Sequence, residues 1–190
     1  MSVLSESRAR LHTVEDLERL DAQGLRYELI RGDLQEMSPA GGRHGSATSR
    51  FAAYAGIFVD ENGLGECFAA ETGFLIGRNP DTVLAPDWAF VAEARLPDLT
   101  LEGYVSCVPD AVLETRSPND TKREVAEKVA RWLEAGVGIV LELNPNARAL
   151  TVYRPGEKPR TLGIEDTFSG EDVLPGLTLP VRRLFREVSA

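Results

Sequence analysis

Ala111-Val-Leu-Glu-Thr115, then Arg116-Ser-Pro-Asn-Asp120, then a stretch carrying Val125, Val129, Trp132 and Leu133 up to Gly136, decides the fold. The first piece is an apolar run of strand length. The second supplies helix-start residues. In the third, apolar side chains recur at three- and four-residue spacing, which predicts a helix to about Ala135 that Gly136 ends. Val137–Leu143 is again a run of buried-strand character, and Asn144-Pro-Asn146 turns it into a further strand, Ala149–Arg154. The heart of the chain therefore reads strand, helix, strand.

Upstream, two strands are predicted over Glu66–Gly77, with a bend at Gly73, and over Val83–Val91, parted by Asn79-Pro80-Asp81. Before them Ala47, Phe51, Tyr54, Ala55 and Phe58 predict a helix to about Asp60, closed by Asn62-Gly63. Ser38–Gly45 and Glu93–Val108 read as loops. The middle of the chain thus orders itself as helix, strand, strand, strand, helix, strand. At the N-terminal side, Thr13-Val-Glu-Asp16 opens a short amphipathic helix that Gly24 ends, and Arg26–Arg31 with Leu34–Met37 form a hairpin about Gly32-Asp33. Arg31-Gly32-Asp33, which matches an adhesion tripeptide, reads as that hairpin's turn. After Pro155-Gly156, short apolar stretches lead to a helix over Val181–Val188. The expected fold class is α/β (α+β), a mixed central sheet flanked by helices, in one domain over 1–190. Its parts are a helix and hairpin at 13–37, an αβββαβ core at 44–144, and strands and a helix at 149–188.

Composition narrows the chemistry. The 190 residues carry 21 Lys+Arg against 30 Asp+Glu, a formal charge of −9, with 43% hydrophobic and 27% charged residues. This is a globular composition, and its acidity argues against a polybasic mode of nucleic-acid binding. Cys67 and Cys107 stand far apart, so a disulfide framework is not expected. With no apolar segment near Met1–Arg8 and none long enough to cross a bilayer, the expectation is a soluble cytoplasmic protein without a membrane partner. Histidine occurs only as His12 and His44, neither at zinc-ligand spacing, and no nucleophile elbow or phosphate-binding loop is present. Gly63-Leu-Gly65 reads as a turn. Any catalysis must rest on carboxylates and a lysine.

Two carboxylates stand in apolar runs: Asp87 after Pro86 within Leu84–Val91, and Glu114 after Ala111-Val-Leu113. A charge there is costly unless it is paired or bound to a cation. Two such carboxylates suit Mg²⁺, which takes one or two from the protein and completes its shell with water and phosphate oxygens. Lysine occurs at Lys122, Lys128 and Lys158 only. At 100° per residue, Lys128 lies about 85° from the centre of the apolar stripe, at the border of the buried face, and Lys122 falls in the first turn. Either could orient a water or stabilise developing negative charge. Plainer readings stand beside these. Asp87 is a satisfied turn carboxylate, Glu114 a structural ion pair with Arg116 or Lys128, and Lys128 a solvated helix-edge residue. His44 is a loop or capping residue, and Glu28 the solvent face of a strand.

Arg26-Tyr-Glu-Leu-Ile-Arg-Gly-Asp-Leu-Gln-Glu-Met-Ser-Pro39, Ala85-Pro-Asp-Trp-Ala-Phe-Val91, Pro109–Asp120, Glu127-Lys128 and Leu133-Glu-Ala-Gly-Val137 together resemble the Uma-two family of bacterial restriction-endonuclease-like proteins. The similarity runs from about Tyr27 to Phe185. It implies the PD-(D/E)xK nuclease core, whose αβββαβ order matches the reading above. By that resemblance Asp87 and Glu114 are the two acids and the ligands to Mg²⁺ or Mn²⁺, and Lys128 is a lysine migrated to the following helix. Glu28 is an additional acid, and His44 matches a frequent family histidine. Arg116 stands two residues after the second acid, where the motif has lysine, and an arginine cannot act as a general base. The family's Tyr-Trp-Ile-Val-Asp stretch is Ile139–Asn144 here, a packing change. The resemblance implies a Mg²⁺-dependent nuclease acting on nucleic acid, DNA foremost, for which a homodimer would suit cleavage of a duplex. The alternative is a nuclease-fold module that binds nucleic acid or protein without catalysis. A carboxylate-pair glycosidase is a third class, without any sugar-stacking aromatic platform in the sequence.

Overall fold

A computed structural model of the chain describes residues 10–99 and 102–186. The N-terminal stretch read as lacking an apolar leader lies outside the described residues. Helix α1 (Val14–Asp21) is closed by a capping box between Thr13 and Asp16. The hairpin β1 (Tyr27–Ile30) and β2 (Asp33–Glu36) follows. Its turn is Arg31-Gly32, one residue earlier than predicted. Both residues have positive φ (51° and 86°), the backbone twist that suits a two-residue hairpin. A side chain at Gly32 would also collide with Leu11.

Helix α2 spans Gly42–Glu61, so it begins before the predicted start and carries His44 in its first turn. The two long strands of the sequence reading each break in two. The first becomes β3 (Gly65–Ala69) and β4 (Phe74–Gly77), the second β5 (Thr82–Leu84) and β6 (Trp88–Ala92). β3 pairs with β6, while β4 and β5 pair with each other and join the hairpin in a separate sheet of order β2-β1-β5-β4. Ala85-Pro86-Asp87 is the joint between the sheets. Proline lacks an N–H, and the Asp87 amide donates to Leu113 O at 3.0 Å. Asp87 therefore stands at a break between strands and not inside one.

β7 (Ala111–Thr115), α3 (Lys122–Ala135) and β8 (Ile139–Asn144) form the strand–helix–strand unit, with β7 and β8 parallel. Thr121 and Glu124 make the capping box of α3, and Gly136 (φ 104°) ends it in the left-handed region. β9 (Ala149–Tyr153) and β10 (Arg160–Leu162) complete a six-stranded sheet of order β10-β9-β8-β7-β6-β3. Setting aside the β4–β5 excursion, the order α2-β3-β6-β7-α3-β8 is the predicted αβββαβ. Between Glu93 and Asp98 the predicted loop makes a 3-10 turn, and Val105 bridges to Phe74.

Because strand side chains alternate between faces, the sheet packs on both sides. Phe51, Ala55 and Val59 of α2 meet Trp88, Phe90, Leu113, Ile139 and Leu141 on one face. Val129 and Trp132 of α3 meet Ala89, Val91, Val112 and Val140 on the other. Val14 and Leu17 of α1 cover Leu29 and Val83 of the smaller sheet. The ribbon β11 (Thr167–Ser169) and β12 (Thr178–Pro180) adds Phe168 and Leu179 to the α2-side core. A 3-10 turn over Val181–Leu184 stands where a helix to Val188 was predicted, and Phe185 is already extended. Residues 187–190 lie outside the described residues.

Candidate active site

Glu114 is the last but one residue of β7, and its side chain points to the α3 face, like that of Val112. It is 9% exposed. Trp132 Nε1 donates to its Oε1 at 2.8 Å, and Lys128 Nζ stands 3.4 Å from its Oε2. Lys128 and Trp132 are one helical turn apart on α3, so one helix supplies both partners. Burial pushes the Glu114 carboxyl up, to about 7, against the downward pull of the Lys128 ammonium, while Glu28 and Asp87 push in the same direction as burial. Glu114, foremost, raises Lys128 despite its burial, so the lysine stays an ammonium.

Asp87 is held from two sides. The Thr115 amide donates to Oδ2 at 2.6 Å, and His44 Nε2 lies 3.0 Å from Oδ1. Since Thr115 follows Glu114, the backbone ties the two acids together. That hydrogen bond to Asp87, foremost, raises the His44 pKa against the effect of burial. Ser117 Oγ is 3.4 Å from the other ring nitrogen. Beneath them, the Thr48 hydroxyl donates to Thr115 Oγ1 at 2.7 Å and fastens α2 to β7. Glu28 is not on a solvent face: it is 6% exposed, and its Oε1 accepts from the Ala85 amide at 3.0 Å. It thus fixes the joint two residues ahead of Asp87.

Arg116 turns away from Glu114. Its Nη1 lies 3.6 Å from Glu142 Oε1, and its Nη2 donates to Asp120 O at 3.1 Å. Glu142 is the parallel register partner of Glu114, 7% exposed, and accepts from Tyr153 OH at 2.8 Å. Sequence reasoning passed over Glu142. Yet Ile139-Val-Leu-Glu142 repeats the signal of Ala111-Val-Leu-Glu114, a carboxylate closing a buried run. Lys122 is exposed at the start of α3.

Each oxygen of Asp87 and Glu114 has one of these partners. An ionised carboxylate oxygen accepts two hydrogen bonds, so each keeps a lone pair that a hard cation could use. Among the described residues, no group of three or more His, Cys, Asp or Glu is placed to hold a metal ion. No helix among the described residues is long and apolar enough to cross a membrane.

The model of the Uma2 family, described as "Putative restriction endonuclease", matches residues 14–182. A solved structure from Anabaena variabilis ATCC 29413, titled a putative nuclease belonging to DUF820, superposes with a TM-score of 0.76 at 19% identity. The match covers 90% of this chain and 96% of that one and shows the shared fold. No curated protein matches the chain.

Proposed function

The chain belongs to the Uma2 family, and from that premise we propose that it is a divalent-metal-dependent phosphodiester hydrolase acting on nucleic acid. Asp87 and Glu114 would hold Mg²⁺ or Mn²⁺, with Lys128 beside the reacting phosphate. The observation that carries this reading is the 3.4 Å approach of Lys128 Nζ to Glu114 Oε2. It puts an ammonium at the second acid although Arg116, at the motif's lysine position, faces Glu142.

A bound Mg²⁺ would supply Lewis-acid polarisation of a phosphate and neutralise its charge. The chain's own residues do the rest. Trp132 and the Thr115 amide fix the two carboxylates in orientation, and His44 holds the outer oxygen of Asp87. Lys128, with 41% of its side chain exposed, is a donor that reaches from the site's rim toward a phosphate oxygen or a water. Glu28 holds the joint that carries Asp87. Arg116 is a fixed cation next door, not a base.

Incubation with single-stranded and duplex DNA and RNA, with Mg²⁺ or Mn²⁺, tests the reading. Cleavage that disappears in Asp87→Ala and Lys128→Ala is the expected outcome, and no cleavage of any form would sink it. The second reading, a nuclease-fold module that binds without catalysis, is favoured by Arg116, which stands at the motif's lysine position and pairs with Glu142 at 3.6 Å instead of facing Glu114. Calorimetry with Mn²⁺ separates the two: binding lost in Asp87→Ala and Glu114→Ala supports the hydrolase, and absence of binding supports the module.

A further inference from the structure

A second feature of the molecule lies on the α2 side of the large sheet, past the C-terminal end of β8. A cavity of about 800 Å³ opens between the first turn of α2, the β8–β9 turn and the C-terminal segment. Arg43 and Ser46 come from α2, Asn146 and Arg148 from the turn, and Phe185 and Arg186 from the C-terminal side. Three of its lining residues are arginines and none is a carboxylate, on a chain with a formal charge of −9. Arg43 and Arg186 are exposed, and neither pairs with a carboxylate among the described residues. Among the described residues, their charge is thus not spent on an acid. Arg50 stands two turns along α2 from Arg43, and its Nη1 lies 3.4 Å from the Arg183 carbonyl, so further cations continue the strip.

Position connects the cleft to the acids. Arg43 precedes His44, whose Nε2 is 3.0 Å from Asp87. Asn146 and Arg148 lie just past the C-terminal end of β8, the strand whose Glu142 is level with Glu114. Guanidinium groups bind phosphate oxygens in bidentate fashion and stay charged at every working pH. Guanidinium groups on the helix turn whose His44 touches Asp87 would form an anion-holding surface distinct from the acids.

We infer that this cleft holds the phosphodiester backbone of a nucleic acid on one side of the position attacked, gripping phosphates and leaving the bases unread. The inference rests on the hydrolase reading for the identity of its ligand. It also explains how an acidic protein could bind a polyanion: the attraction is confined to one strip.

The test is fluorescence anisotropy with the full chain and labelled 20-nucleotide DNA and RNA, single-stranded and duplex, in EDTA so that no cleavage occurs. Arg43→Ala/Arg186→Ala should weaken binding at least about tenfold in 50 mM salt. It should also flatten the dependence of log K on log salt by about 1.4–1.8, the share of two phosphate contacts. Arg123→Ala, on the far exposed face of α3, should leave both unchanged. Arg43 and Arg186 are both exposed, so the double variant should keep the wild-type thermal midpoint. Arg186→Ala alone should move the slope by about half as much. Unchanged affinity in the double variant overturns the inference, as does absence of binding by the wild type. Competition by inorganic phosphate as effective, per phosphate, as by oligonucleotide also overturns it. Binding that depends on the arginines without any cleavage in Mg²⁺ leaves the cleft in place and removes only the hydrolase reading.

Discussion

The indole of Trp132 is fully buried and spends its single N–H on Glu114 Oε1, 2.8 Å away. A carboxylate at that depth survives because it has a donor on each oxygen. Trp132→Phe keeps an aromatic ring in the core and removes only the donor. The variant should lose about 1–3 kcal/mol of stability, the cost of leaving a buried acceptor unmet, as read by urea unfolding in EDTA. Equal midpoints for the two proteins would show that water replaces the indole at no cost.

Lys128 and Glu114 should be energetically coupled. Glu114→Gln, Lys128→Met and the double variant form a cycle whose interaction term is expected near the lower end of about 0.5–3 kcal/mol. It is low because Lys128 keeps 41% of its side chain in solvent, where water screens the pair. Denaturation of all four proteins measures it. Strict additivity would leave the contact with no part in stability.

His44 touches the oxygen of Asp87 that the Thr115 amide leaves open. Its removal should loosen the carboxylate without unfolding the protein. We expect His44→Ala to weaken Mn²⁺ binding about 10–100-fold, measured by calorimetry. An unchanged affinity would reduce the histidine to a packing role between α2 and the joint.

Burial pushes the Cys67 thiol up to about 12, with Glu66 adding to it. At pH 8 the folded protein should therefore react with iodoacetamide at Cys67 far more slowly than the same protein in urea. The same displacement ties stability to pH. The stabilising contribution is complete below the unfolded thiol's ordinary range. It is lost as pH rises from there toward 12, since the unfolded chain gives up the proton first. Cys67→Ala should flatten that alkaline decline. Rapid labelling of folded wild type, traced to Cys67 by mass spectrometry, would contradict the burial.

The strand–helix–strand from Ala111 to Leu143 was legible because its signals are local. The apolar spacing of Val125, Val129 and Trp132 marks the helix, and Gly136 stops it by its own backbone, although the start was read at Ser117–Asp120 and the cap is Thr121, bonded to Glu124. The break at Asp87 was not legible in that way. Leu84–Val91 has the composition of one strand, and only the pairing of β5 with one sheet and β6 with another divides it. Glu28 misled for the same reason: alternation puts it opposite apolar neighbours, but the face it occupies is covered by the joint. Lys128 could be placed at the border of its helix from angles alone. Trp132 could be read only as a core residue, because nothing in the sequence says where an indole N–H will point. Glu142 carried the same signal as Glu114 and was passed over inside the strand read as Val137–Leu143. Thr48 and Thr115, 67 positions apart, gave no sign of meeting.

Ala69 and Trp88 face each other across the β3–β6 ladder. The chain leaves the large sheet on one rung and re-enters it on the same rung. The excursion between them can change length at its far turn, around Asn79-Pro80, without altering how β3 lies against β6. An insertion between Pro86 and Trp88 has no such freedom, because it carries Asp87 off the Thr115 amide at once. The location of the first acid is thus counted in residues from a fixed rung. Loop-length variation among relatives should collect at the tip of the excursion and stop short of its return.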